Sequence, residues 1–278
     1  MALIHPTRTA DRPTADPFAL YRDMVLYTFK SEFRAGFFIA YYRNFAIPSI
    51  ARTLATRGET AARPMKRSYD TGIVIHEIIV NGFESDRGQK MVELLRRVHQ
   101  GVPGSSEDFL YVLMTLLVIP VRWADAHGWR KLTEAERGAS LAFYTELGSR
   151  MGLGAAPATF TEAAALLDDY EARKMTASPE GATLLEATAE ALAVRLPRPL
   201  KSRTTAVISL LMDKPEVAPA LGLKPAPSWL RSVFTGLLRV RALVARTRPL
   251  PSKPSFTPGK SGSSVYPQGY RLEDIGPR

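Results

Sequence analysis

The sequence predicts an all-α protein: a single multi-helix domain over residues 18–248, followed by an extended basic tail over 249–278. Three observations lead there. Helix-start and helix-stop residues follow one another almost without a gap from residue 18 onward. Apolar residues recur at helical spacing, with no alternating strand pattern and no internal repeat. The Pro-, Gly- and Ser-rich sequence is concentrated near the end, in PSKPSFTPGKSGSSVYPQGY (251–270). With 278 residues, 45% of them hydrophobic, the chain is long enough to bury a substantial core.

Residues 1–17 are polar and contain Pro and Thr, and they read as a loose arm. Residues 18–47 carry ten aromatics and predict one long or two shorter buried helices, with Pro48 and the run to Arg63-Pro64 as punctuation. A helix over 66–82 ends at Asn81-Gly82. Ser85 or Asp86 caps the next, Arg87 to His99, which stops before Gly101 and Pro103. Ser106 begins a very apolar helix to about Asp125, with a kink expected at Pro120. Thr133 with Glu136, and Thr159 with Glu162, are capping boxes for helices to Met151 and Met175. Ser178-Pro179 opens a helix to Leu196, with proline at its favoured first position. Helices over about 200–213 and 228–247 complete the domain.

The chain has no cysteine. That excludes disulfides, iron–sulfur clusters, thiolate-ligated haem and covalently attached haem. The formal net charge of +10 is local: residues 195–278 hold 15 basic and 4 acidic side chains, whereas residues 1–194 hold 22 and 23. Such a distribution, with no recognition motif, points away from nucleic acid. The N-terminus lacks the layout of a signal peptide. The apolar run Ala35 to Ile50 is interrupted by Arg43 and Pro48 and is too short to span a bilayer. A cytoplasmic location is the expectation.

Four histidines limit the possible chemistry. His5 falls in the arm. His127, at a helix C-terminus, suits a cationic cap. His76 precedes Glu77, but a zinc HExxH motif would need histidine at Val80. His99 follows the stripe Met91, Leu94, Leu95 and Val98, so its imidazole should face the core. There it is either a core histidine bonded to a carbonyl or a proximal ligand for haem iron. Arg67 and Thr71 share a helix face four residues apart. They could hold a haem propionate or contact bound oxygen, or Arg67 could simply pair with Asp70. Other schemes lack their residues. No Glu-x-x-His pair for a di-iron site, no phosphate-binding Gly loop and no Gly-x-Ser-x-Gly elbow occurs, and a two-histidine iron site using His76 and His99 has no support from spacing.

The stretches RPMKRSYDTG (63–72), NGFESDRGQKMVELLRRVH (81–99) and SSEDFLYVLMTLLVIPVRWADAHGWRKLTEAER (105–137) resemble the MpaB/latex clearing protein family. The segment YPQGYRLEDIGP (266–277) is similar to the ending of bacterial MpaB-like members. The resemblance covers about residues 18–245 plus that ending. It implies an all-helical fold and non-covalent haem b, with His99 as its proximal ligand. It also implies dioxygen-dependent cleavage of a carbon–carbon double bond in an apolar, isoprenoid-like substrate. The family's Arg-x-x-x-Thr pattern falls on Arg67 and Thr71, which the resemblance makes catalytic, with Arg67 also a candidate for contacting the cofactor. Two departures point away from rubber as the substrate. Asp70 stands where the latex clearing protein has a lysine able to cap the iron, and Arg96 and Arg97 stand near where the rubber-cleaving branch has a further histidine.

The helix over 228–247 places Trp229, Leu230, Val233, Phe234, Leu237, Leu238 and Val240 beside Arg231, Arg239, Arg241 and Arg246. Its apolar face is expected to pack on the domain. The alternative is peripheral membrane contact, and with it a non-catalytic, helical lipid-surface module.

Overall fold

A computed structural model describes residues 16–56, 62–154, 156–193, 198–260 and 265–276. The expected arm lies outside them, apart from Asp16 and Pro17. Asp16 caps the first helix, α1 (Pro17–Asp23), by accepting from the Phe18 amide, with Pro17 at the first position. A π-helical turn (Met24–Thr28) leads into α2 (Lys30–Arg43), so the aromatic segment forms two helices hinged at Phe29. Pro48, read from sequence as punctuation, instead opens α3 (Pro48–Thr56), because a helix's first residue needs no amide hydrogen. Then follow α4 (Pro64–Asn81), α5 (Asp86–His99), α6 (Ser106–His127), α7 (Glu134–Met151), α8 (Phe160–Lys174) and α9 (Pro179–Ala193). The expected extension of α9 to Leu196 lies outside the described residues. The helix expected over 200–213 is split into α10 (Arg198–Lys201) and α11 (Thr204–Leu211). Short α12 (Val217–Ala220) and long α13 (Ser228–Thr247) complete the helices. The described residues contain no strand.

Helix α6 is the axis of the bundle. It begins at Ser106 as expected; just before it Ser105 accepts from the Asp108 amide while Asp108 reaches back to the Ser105 amide, a capping box. The helix runs unbroken through Pro120, where α2 crosses it closely. A Cβ on Gly36 would lie 2.3 Å from the Pro120 Cα, so only glycine allows this approach. α6 is long and apolar enough to cross a membrane, but most of it is buried in the core of this fold.

Ionic contacts link the helices behind α6. Arg43 is fully buried and pairs with Glu171 of α8 and, at 2.6 Å, with Asp213. Burial disfavours its charge, but the two carboxylates outweigh burial and hold the guanidinium protonated.

The tail folds back across the bundle. Ser255 donates its amide to the Leu26 carbonyl and its hydroxyl to that of Val25. Tyr266, Tyr270 and Ile275 are buried. Tyr266 donates to Asp70 at 2.6 Å, and the Gly276 amide donates to the same carboxylate at 3.0 Å. Tyr270 donates to Glu77, a carboxylate with no solvent exposure. Arg87 grips Glu77 with two bonds of 2.9 and 2.7 Å, and Asn81 adds a third at 2.8 Å. Burial opposes ionisation of Glu77, yet the bonds from Arg87 and Tyr270 hold its carboxyl below the usual carboxylate range.

Candidate functional site

A cavity of about 270 Å³ is lined by α2, α3, α4, α5, α6, α7, the loop after α5 and the tail. The end of α2 and the turn after it supply Tyr41, Asn44 and Phe45, and the start of α4 supplies Arg67, Thr71 and Val74. Helix α5 supplies Leu95, Val98 and His99; α6 supplies Phe109, Val112 and Leu116; and the tail contributes Ile275 and Gly276. The walls are mainly apolar, and the polar groups are few and separately placed, as in a small-molecule or cofactor site.

All three residues singled out from sequence line this cavity. His99 is the last residue of α5, half-buried at the cavity edge, as the stripe on that helix predicts. Its Nδ1 lies 2.7 Å from the Leu95 carbonyl, one turn back. A carbonyl can only accept, so Nδ1 carries a hydrogen, and in the neutral form of the ring the lone pair lies on Nε2. This is the tautomer required of an imidazole that coordinates a metal through Nε2. The Phe109 ring stands edge-on to the imidazole, with centroids 5.9 Å apart.

Arg67 and Thr71 are joined directly. The guanidinium donates to the Thr71 hydroxyl at 2.5 Å, and that hydroxyl donates to the Arg67 carbonyl at 2.9 Å. The pairing of Arg67 with Asp70 weighed from sequence is not what forms. Asp70 is held by Lys66 at 2.5 Å and by the tail. Lys66 also donates to the Asp274 and Gly276 carbonyls, at 3.1 and 2.9 Å. Arg67 is thereby kept for the cavity, with its position fixed by Thr71.

Two functional atoms gave no signal in the sequence. The Tyr41 hydroxyl and the Asn44 Oδ1 are buried at the cavity wall and have no partner among the described residues. Asn44 spends its amide hydrogens on the Ala40 and Tyr41 carbonyls, which turns its oxygen outward from its own backbone. Burial, and then Tyr42, push the Tyr41 phenol well above its ordinary pKa, while Arg67 acts the other way. Tyr41 is therefore a neutral donor, and Asn44 leaves an acceptor unpaired on another residue of the same cavity lining. A buried polar atom left without a bond costs about 1–3 kcal/mol. Both atoms belong to residues that line the cavity, which makes them candidates to bond a ligand there. No spacing rule would have found them, because Tyr41 is one aromatic among ten.

The remaining histidines lie elsewhere. His76 bonds to the Gly72 carbonyl at 2.7 Å and packs against the Phe256 ring, so it is not brought beside His99 in a shared metal site. Among the described residues no cluster of three His, Asp or Glu could hold a metal ion. His127 corrects the cationic-cap expectation. Burial, and then Arg241, lower its pKa and favour the neutral ring at the end of α6. The residues present fit a haem: a half-buried imidazole of the required tautomer, apolar walls, an arginine fixed at the cavity and two buried polar atoms lacking partners.

The family described as the catalytic domain of ER-bound oxygenase mpaB/B′ and rubber oxygenase matches residues 32–247. Over 341 aligned positions the chain is 26% identical to the ER-bound oxygenase mpaB′ of Penicillium brevicompactum, covering 98% of this chain and 80% of that protein. It is also 26% identical to the ER-bound oxygenase mpaB of the same fungus, covering 87% of this chain and 60% of that one. The solved structure of latex clearing protein in the closed state superposes with a TM-score of 0.60 at 19% identity, over 90% of this chain and 72% of that one. At that identity the likeness concerns the fold.

Proposed function

Because this chain belongs to the mpaB/rubber oxygenase catalytic-domain family, we propose that it is a haem b-dependent oxygenase that cleaves the double bond of an apolar, isoprenoid-like alkene. The observation that carries the reading is the cavity itself, where His99 with its Nδ1 hydrogen on Leu95 shares an apolar wall with the Arg67–Thr71 pair. Haem b bound there would supply dioxygen activation, giving two carbonyl products that take up both oxygen atoms, so that no external reductant is consumed. His99 would hold the iron through Nε2, and the Leu95 carbonyl would set the ring's orientation and basicity. Arg67 offers a fixed cation for a propionate or for a developing negative charge on oxygen. Tyr41 and Asn44 offer one donor and one acceptor. Val98, Val112 and Leu116 exclude water and seat the alkene.

A second reading, a non-catalytic module on a lipid surface, is favoured by the exposed apolar face of α13. The two readings are compatible, since an enzyme for an apolar substrate gains from a membrane-peripheral setting.

The test is to express the protein with a haem supply and record its visible spectrum. We expect a Soret band at one haem per chain, lost in His99→Ala while the helical circular dichroism persists. A folded wild-type protein that refuses haem, or a His99→Ala variant that keeps it, would overturn the assignment. With haem in place, a terpenoid alkene under dioxygen should yield paired carbonyl products, and Arg67→Ala should lose haem affinity, turnover or both.

A further inference from the structure

Helix α13 differs from every other long helix in the molecule: over its 20 residues, Ser228–Thr247, none is buried. Its inner face is already engaged along its whole length. Phe234 and Leu238 pack on the core. Arg231 donates to the Met212 carbonyl at 3.2 Å, Arg241 pairs with Glu32 at 2.7 Å, and Arg246 donates to the Trp129 carbonyl at 2.6 Å. The helix is thereby strapped flat against the bundle near both ends and in the middle, and its other face cannot turn inward. The expectation that its apolar face packs on the domain holds for Phe234 and Leu238 alone.

What remains outside is apolar. Trp229, Val233, Leu237, Val240, Leu243 and Val244 are between 41% and 66% exposed. At about 100° per residue these six fall within about 120° of arc, a single continuous stripe. Arg239 lies along one flank of the stripe; Arg246 on that side and Arg241 on the other also border it while bonding inward to the Trp129 carbonyl and to Glu32, and Arg248 follows just past the helix end. The helix contains no Asp or Glu.

We propose that this face docks the protein onto an anionic lipid surface, with α13 lying in the plane of the interface. An apolar stripe edged by arginines, held parallel to the protein surface, matches what such an interface accepts: alkyl chains beneath the stripe and acidic headgroups along its flanks. Trp229 suits the headgroup level, where amphipathic rings concentrate. Charge decides against a second copy of this chain. Packing stripe on stripe would bring Arg239 and its neighbouring arginines from both copies together; Glu32 offsets Arg241, but neither helix carries an acid to offset the others. The inference concerns the outer face of α13 only, and it stands or falls apart from the cofactor in the cavity.

The experiment is co-sedimentation of the full-length chain with vesicles of phosphatidylcholine alone, or of phosphatidylcholine mixed with phosphatidylserine. Wild-type protein should pellet with the mixed vesicles, much less with the neutral ones, and be released by salt. The double variant Trp229→Ser, Leu237→Ser should lose about tenfold or more of this partitioning, since it removes two inserting side chains. Both positions are exposed, so its melting temperature and circular dichroism should match wild type, which separates lost docking from lost folding. Arg239→Gln should weaken binding to the mixed vesicles alone. The proposal is overturned if neither vesicle binds at low salt, if both bind equally without salt dependence, or if the double variant binds as wild type. It is equally overturned if the stripe instead drives a concentration-dependent dimer that the double variant abolishes, or captures an acidic protein while leaving vesicles unbound.

Discussion

Helix α4 and its neighbours hold two sets of buried polar groups that the fold treats in opposite ways. At Glu77 every capacity is met, because Arg87, Asn81 and Tyr270 converge on one carboxylate and fix it as an anion. At the cavity wall, Tyr41 and Asn44 are only partly buried as residues, yet their hydroxyl and carbonyl oxygen are shut away with a donor and an acceptor unspent. The difference separates structure from function within one core. A polar group whose bonds are complete is holding the protein together, and one left incomplete at a cavity is reserved for something that arrives later.

The contrast can be broken by mutation. The largest effect is expected at Glu77→Ala. It strands the buried Tyr270 hydroxyl and leaves the partly exposed Arg87 to water, and should cost about 2–3 kcal/mol in urea unfolding. A loss below about 1 kcal/mol would mean that the cluster is not structural. Next comes Asp70→Ala, which releases Lys66, Tyr266 and the Gly276 amide together. It should cost about 1–3 kcal/mol and, more tellingly, speed proteolysis within the tail well before the bundle is cut. Acid gives a third, finer comparison. Glu77 has a lowered pKa in the folded state, so its contribution is fully present above the ordinary carboxylate value of 4.5 and is lost as pH falls through its lower folded-state value. The stability gap between wild type and Glu77→Gln should therefore be constant from pH 7 down to about 5 and narrow below 4.5. The smallest effect is reserved for Tyr41→Phe. Removing a hydroxyl that bonds to nothing should leave stability unchanged within about 0.5 kcal/mol, or raise it slightly, while altering ligand affinity or turnover. A large loss of stability there would show that Tyr41 does have a partner and would erase the contrast.

The helical fold was legible in the sequence because its signals are local. Thr133 with Glu136 forms the capping box the sequence showed, and Gly82 adopts the positive φ expected just past a helix end. Where reading failed, the cause was mostly a partner distant in the chain. What Pro120 meets, Gly36 of another helix, carries no local signal. Asp70 and Arg67 look like a local pair, yet Tyr266 and Gly276, some two hundred residues away, help Lys66 to occupy the aspartate. His99 was readable because an apolar stripe on its own helix points it inward. Tyr41 and Asn44 were not, because what marks them is the lack of a partner, which only the packed structure reveals. The outer stripe of α13 was visible as amphipathicity, but periodicity does not say which of two apolar faces the fold will use.

The tail that closes the cavity wall has a consequence for timing. Its bonds join positions separated by 196, 193 and 230 residues along the chain: Tyr266 to Asp70, Tyr270 to Glu77 and Ser255 to Val25. Contacts of such long range must close the largest loops, so they are the last to gain from a core assembled by neighbouring helices. Residues 265–276 meet the bundle mainly through Asp70, Lys66 and Glu77, so this wall would open as one unit when those few bonds break together. The helices would then not need to part for a bulky planar or chain-like molecule to enter. Brief excursions of residues 265–276 would suffice, and the rate of ligand uptake would follow the opening rate of this strap rather than diffusion to the surface.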